Sequence, residues 1–115
     1  MRVNDPLERV ERDLDLRLPD VLKDLYASGD GRYNSGGEWW VVWPTARLVE
    51  ENRRAWQNGL PRTYFTFGDD GTGDPFYIDL EVVDGEVQRW SWIDNASQGV
   101  VGTISEFRAI WIEGA

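Results

Sequence analysis

Phe67-Gly68-Asp69-Asp70-Gly71-Thr72-Gly73-Asp74-Pro75-Phe76-Tyr77-Ile78-Asp79-Leu80 is a strand end, a turn and a second strand in fourteen residues. Upstream, Thr63 to Phe67 alternates, with Phe65 and Phe67 on one face and Tyr64 and Thr66 on the other, the period of a half-buried strand. Downstream, the run Phe76 to Val83 meets the run Glu86 to Trp92 through Asp84-Gly85, a preferred pair for a type I′ hairpin. A two-residue turn there sets Leu80 against Arg89 and Ile78 against Ser91. Phe76, Ile78, Leu80, Val82 and Val87 then share an apolar face. The other face carries Tyr77, Asp79, Glu81, Glu86, Trp90 and Trp92, a mixture that predicts a partly wet surface unless a bulge turns Trp90 and Trp92 to the core.

Outward from this meander, the first half reads as helical. Asn4 or Asp5 is placed to cap a helix with Pro6 in its first turn and Leu7, Val10 and Leu14 on one stripe. Pro19 opens a second helix through Ser28, with Val21, Leu22 and Leu25 inward, and Gly29-Asp30-Gly31 ends it. Glu38-Trp39-Trp40-Val41-Val42-Trp43, apolar on both faces, predicts a central strand with one Trp free to rim an interface. Pro44-Thr45 starts a third helix that ends near Trp56, with Leu48 and Val49 inward and the Arg53-Arg54 pair on a solvated face within reach of Glu50. Thr103-Ile104-Ser105-Glu106 is a capping box for a last helix reaching Ile112, its stripe formed by Phe107, Ile110 and Trp111 and its stop by Gly114.

The chain has 115 residues, 41% of them apolar and seven of them Trp, which suits one domain spanning 1–115 with its own core. It contains neither Cys nor His, which removes thiol nucleophiles, disulfides, zinc-thiolate sites and the usual general base. No apolar run reaches membrane-span length and the polar N-terminus lacks a signal-peptide plan, so a cytoplasmic protein without a membrane partner is expected. Of the net charge of −9, residues 1–58 contribute −2 and residues 59–115 contribute −7. Eight acids stand between Asp69 and Asp94 against the single Arg89. Such a field repels phosphate backbones, so no nucleic-acid binding is expected, and it attracts a basic partner; acids that only keep turns soluble are the plainer reading.

The stretch 68–74 fits no cation or phosphate loop. As an EF-hand it has Pro75 where Gly is required and no Glu at the twelfth place. As a phosphate loop it lacks Gly-Lys-Ser/Thr and opposes the anion with three carboxylates. What remains is a tight turn, its glycines at positive φ and its Asp side chains capping amides, or a partner-binding loop. Paired carboxylates exist for glycosidase-like chemistry, but a chain this small leaves little room for a substrate cleft, so no catalytic, cofactor or metal residues are assigned.

Two segments together resemble the SUKH superfamily of fungal cell-wall-synthesis regulators and bacterial immunity proteins. Leu18-Pro19-Asp20-Val21-Leu22-Lys23-Asp24-Leu25-Tyr26 with Ser28-Gly29-Asp30-Gly31 resembles the family's opening, and Phe67 to Leu80 resembles its strand, Gly-Asp-rich turn and strand ending in Asp-Leu. Val87-Gln88-Arg89-Trp90 and Ile104-Ser105-Glu106-Phe107 are further points of likeness, and the match covers roughly residues 5–113. Asp30 stands where the family more usually has Asn, and Trp92-Ile93-Asp94 where it often has His. The resemblance implies an α+β fold, helices on one side of a mixed, mainly antiparallel sheet. It also implies a non-enzymatic role in neutralising a toxin, a nuclease or nucleic-acid deaminase. The alternative is a general protein-binding scaffold or regulatory module. Such toxins are basic around their active sites, so the acidic stretch is a fitting complement. The expected contacts are Asp69, Asp70, Asp74, Tyr77, Asp79, Glu81, Trp90, Trp92 and Asp94, acting in a monomer.

Overall fold

Leu7, Val10 and Leu14, three and four residues apart, set the first helix into the core. In a computed structural model, which describes residues 6–82 and 85–114, it is α1 (Pro6–Leu14), with those three side chains buried. Its expected caps, Asn4 and Asp5, lie outside the described residues. Helix α2 (Asp20–Ala27) begins directly after Pro19, whose extended backbone turns the chain inward, and buries Leu22, Leu25 and Tyr26. The Tyr26 hydroxyl donates to the Trp43 carbonyl at 2.6 Å, and burial, with Asp30 nearby, pushes its pKa well above the usual phenol range.

Residues 38–43 do not form a central strand. Strand β2 (Trp40–Val42) pairs only with the two-residue β1 (Arg32–Tyr33), and this small ribbon lies across the main sheet. A side chain at Gly68 would collide with the Val41 carbonyl oxygen, so its absence lets the two backbones touch, and the Trp43 amide donates to the Phe67 carbonyl at 2.7 Å. Val41, Val42 and Trp43 are buried as core side chains, not as members of a wide ladder. Helix α3 follows (Thr45–Gln57), with Leu48, Asn52 and Ala55 buried. Arg54 meets Glu51 at 3.3 Å and Arg53 donates to the Asp13 carbonyl, so the expected bridge to Glu50 is replaced.

The meander is present. Strands β3 (Tyr64–Asp69), β4 (Pro75–Asp79), β5 (Val87–Ser91) and β6 (Ala96–Gly102) form an antiparallel sheet in that order. With its helices the chain is α+β, and every strand pairing among the described residues is antiparallel. The hairpin register differs from expectation: Phe76 faces Arg89 and Tyr77 faces Gln88, a slip of four residues. The cause lies at Asp79, whose Oδ1 accepts the Glu81 amide at 3.0 Å while its carbonyl accepts the Val82 amide. This local turn takes the chain out of the sheet before the Asp84-Gly85 pair, of which Asp84 lies outside the described residues. An even slip preserves the faces, so Phe76, Ile78 and Val87 do share the main core; Val82, having left the sheet, is exposed.

The opposite face is dry at its centre and wet at its ends, where Glu81 and Glu86 are exposed. Tyr77 is fully buried and Trp90 is only 6% exposed, packed with Ala55 and Leu60 beneath the end of α3. Tyr64 stacks on Tyr77 with ring centroids 4.3 Å apart, and Trp90 meets Tyr64, Tyr77 and Trp92 edge to face. A layer of aromatic side chains therefore excludes water around Tyr77 and Trp90, so of the two outcomes left open Trp90 takes the core and Trp92 stays half-buried.

The capping box forms as expected: the Glu106 amide donates to Thr103 Oγ1 at 3.1 Å and the Thr103 amide to Glu106 Oε1 at 2.9 Å. Helix α4 (Ile104–Phe107) then widens into a π-helical turn, Arg108–Ile112, closed by the Glu113 amide on the Arg108 carbonyl. The wider turn rotates Ile110 out to solvent, contrary to the expected stripe, and brings Trp111 and Ile112 onto the core. Gly114 takes a φ of 72°, the stop its residue type predicts.

The two edges of the sheet are treated differently. On β3, Asn52 from α3 works as a substitute strand: its Oδ1 accepts the Thr66 amide at 2.8 Å and its Nδ2 donates to the Thr66 carbonyl at 2.9 Å. Trp56 Nε1 covers the Tyr64 carbonyl at 2.8 Å, and the Trp43 amide covers Phe67. On β6, residues 96–100 are exposed.

Candidate functional site

Hairpin topology sorts the nominated residues before any chemistry is considered. The 69–75 turn and the 92–95 turn lie at one end of the sheet, and the 80–86 connection lies at the other. Asp69, Asp70, Asp74, Trp92 and Asp94 are thus brought together, tied by the Trp92 amide donating to Asp74 Oδ1 at 3.2 Å. Asp79 and Glu81 belong to the far end. Tyr77 and Trp90 belong to neither surface, because the aromatic layer buries both; as anchors for a partner they are corrected.

Within the turn the carboxylates face inward. Asp69 Oδ1 accepts the Gly71 amide at 2.7 Å, and its Oδ2 accepts Trp43 Nε1 at 3.4 Å. Asp70 Oδ1 accepts both the Thr72 amide at 2.9 Å and the Thr72 hydroxyl at 2.6 Å. Its Oδ2 lies 3.4 Å from the Arg89 guanidinium, which Gln98 holds from the other side at 2.9 Å. Gly71 and Gly73 take φ of 92° and 98°, and a side chain at Gly71 would stand 2.8 Å from the Trp39 ring. Trp39 in turn donates Nε1 to the Asp69 carbonyl at 3.2 Å. These are the glycine conformations and amide caps of the tight turn. Asp94 differs: it stands exposed at the tip of the neighbouring turn, beside Ile93, which is 94% exposed, and Asn95, whose φ is 51°.

Sequence reasoning missed the wall opposite this turn. A cleft of about 230 Å3 separates the turn from α3, with Asp69, Pro75 and Trp92 on one side and Arg47, Glu51 and Arg54 on the other. Glu51 holds Arg47 at 2.6 Å and Arg54 at 3.3 Å, and the Arg47 guanidinium lies 5.2 Å from the Trp43 ring centroid. The i,i+4 spacing of Arg47 and Glu51 was visible, but the sequence does not tell which turn such a pair will face. The arrangement places charged hydrogen-bonding groups between two Trp walls. Among the described residues no group of three or more acidic side chains is placed to hold a metal ion.

A four-stranded antiparallel meander, crossed by a short ribbon at a glycine and carrying a Gly-Asp turn at one end, defines an α+β protein. The chain belongs to the SMI1 / KNR4 family (SUKH-1), which matches residues 4–108 and includes toxin immunity proteins. No curated protein and no solved structure matched the chain. Members of the family are generally immunity or regulatory proteins and not enzymes. No helix among the described residues is long and apolar enough to cross a membrane.

Proposed function

We propose that this chain is a non-enzymatic immunity protein that binds one cognate toxin domain, a basic nuclease or nucleic-acid deaminase, and neutralises it in the cytoplasm. The observation that carries the reading is the concentration of acids between Asp69 and Asp94 on a member of a family that includes toxin immunity proteins. The acidic half steers a basic toxin toward the surface and opposes the toxin's own phosphate substrate. Trp92 and the cleft beside it supply contact area in place of Tyr77 and Trp90. The protein acts as a monomer with no cofactor.

The test is growth of a host expressing the C-terminal domain encoded by the adjacent upstream gene, with and without this protein. Relief of toxicity by co-expression is expected, together with a 1:1 complex whose association slows as salt rises. Asp94→Lys is the charge reversal to use, since Asp69, Asp70 and Asp74 hold the turn itself. It should slow association several-fold while the fold is kept. A toxic domain left unrelieved, or a harmless one, transfers the reading to a scaffold or regulatory module.

A further inference from the structure

We propose that the free edge of β6 is a pairing edge, onto which an extended strand of a basic partner protein adds as a fifth strand; the partner's identity rests on the immunity reading. The two ends of the sheet order are β3 and β6, and β3 is closed by Asn52, Trp56 and Trp43. Beyond its ladder with β5, the hydrogen bond seen on the β6 backbone among the described residues is the Gly99 amide to its own chain's Ser97 Oγ at 3.1 Å. Edge strands left in this state are usually guarded by charge or proline, because a row of free amides and carbonyls is a template for another strand. Ala96-Ser97-Gln98-Gly99-Val100-Val101-Gly102 contains neither, and Val100 is 59% exposed upon it.

Charge selects the occupant. Asp94 precedes the strand, Glu106 follows it, and Glu86 adjoins Val87, which pairs with Gly102. The nearby cation, Arg89, is already engaged by Asp70 and Gln98. A partner strand with basic residues at both ends is complementary, whereas a second copy brings its own net charge of −9. The mode is strand addition, in which main-chain hydrogen bonds hold the guest and side chains select it.

The probe is a synthetic peptide of alternating Val and Thr flanked at each end by two Lys, with a Glu-flanked peptide of the same core as control. Amide hydrogen exchange across Ala96–Val101 should slow roughly tenfold with the Lys-flanked peptide and stay unchanged with the Glu-flanked one. Val100→Lys, at an exposed position that leaves the fold intact, should abolish the protection. Equal protection by both peptides, no protection at β6, protection confined to the 69–75 turn, or a Val100→Lys variant that still binds overturns the proposal. A peptide-free dimer that Val100→Lys dissolves also overturns it, by giving the edge to a second copy. Growth rescue separates the two readings: peptide binding without rescue sinks the immunity role and keeps the edge, and rescue without peptide binding does the reverse.

Discussion

The β3 edge and the β6 edge bound the same sheet and have opposite chemistry. On β3, one buried amide side chain, one indole and one crossing backbone satisfy the groups that a neighbouring strand would have taken. On β6, residues 96–100 stand in solvent. The difference teaches that closing an edge takes side chains committed from elsewhere in the fold, here from α3, and that such side chains are costly to lose. An edge on which nothing is committed tolerates change, which suits a surface that must fit a partner.

Breaking the sealed edge should produce the largest effects. Gly68→Ala forces a methyl group into the Val41 carbonyl and must separate the ribbon from β3, with an expected loss of about 4 kcal/mol or more in urea unfolding. Asn52→Ala leaves the Thr66 amide and carbonyl buried without partners, for about 3 kcal/mol by the same measurement.

A milder way to probe the same edge is alkali. Tyr26 holds the Trp43 carbonyl, and burial raises its folded-state pKa above the unfolded value of 10.0. A raised pKa on a neutral acid means the stabilisation is complete below that unfolded value and is lost as pH rises past it. Tyr77, raised chiefly by burial, adds in the same sense. Stability should hold to about pH 9, begin to fall near pH 10 and approach a slope of roughly 1.4 kcal/mol per pH unit above about pH 11 for Tyr26, with Tyr77 adding in the same direction. A curve already falling between pH 7 and pH 9 would mean that other groups dominate. The smallest effect belongs to the open edge: Val100→Lys should change stability by less than about 0.5 kcal/mol. A larger loss would mean that β6 is more committed to the fold than its exposure shows.

Much of this contrast was legible in advance on one side only. The apolar stripe of α1, the capping box and the β3–β4 turn follow from spacing and residue type and appear where that spacing puts them; on α2 Leu22 and Leu25 are buried as expected, but Tyr26 joins them in place of Val21. The crossing of β2 was illegible because Trp40-Val41-Val42-Trp43 is equally suited to a central strand; Gly68, the residue that decides between them, is thirty positions from Glu38. Asn52 was missed because a buried Asn in a helix reads as a surface polar residue until its partner is known. The hairpin slip came from Asp79, whose side chain competes with the ladder five residues before the preferred turn pair. Of the candidate site, the Gly-Asp turn could be read from sequence. The cleft could not, since Arg47 and Glu51 meet Trp92 only through the tertiary packing of α3.

Asn52 also bears on the order in which the chain assembles. Its partner Thr66 lies fourteen residues along the chain, so docking α3 against β3 closes a short loop at small entropic cost. The Trp39 and Trp43 bonds to Asp69 span thirty and twenty-six residues and close longer loops. The shorter loop predicts that φ-values measured at Asn52 exceed those measured at Trp39.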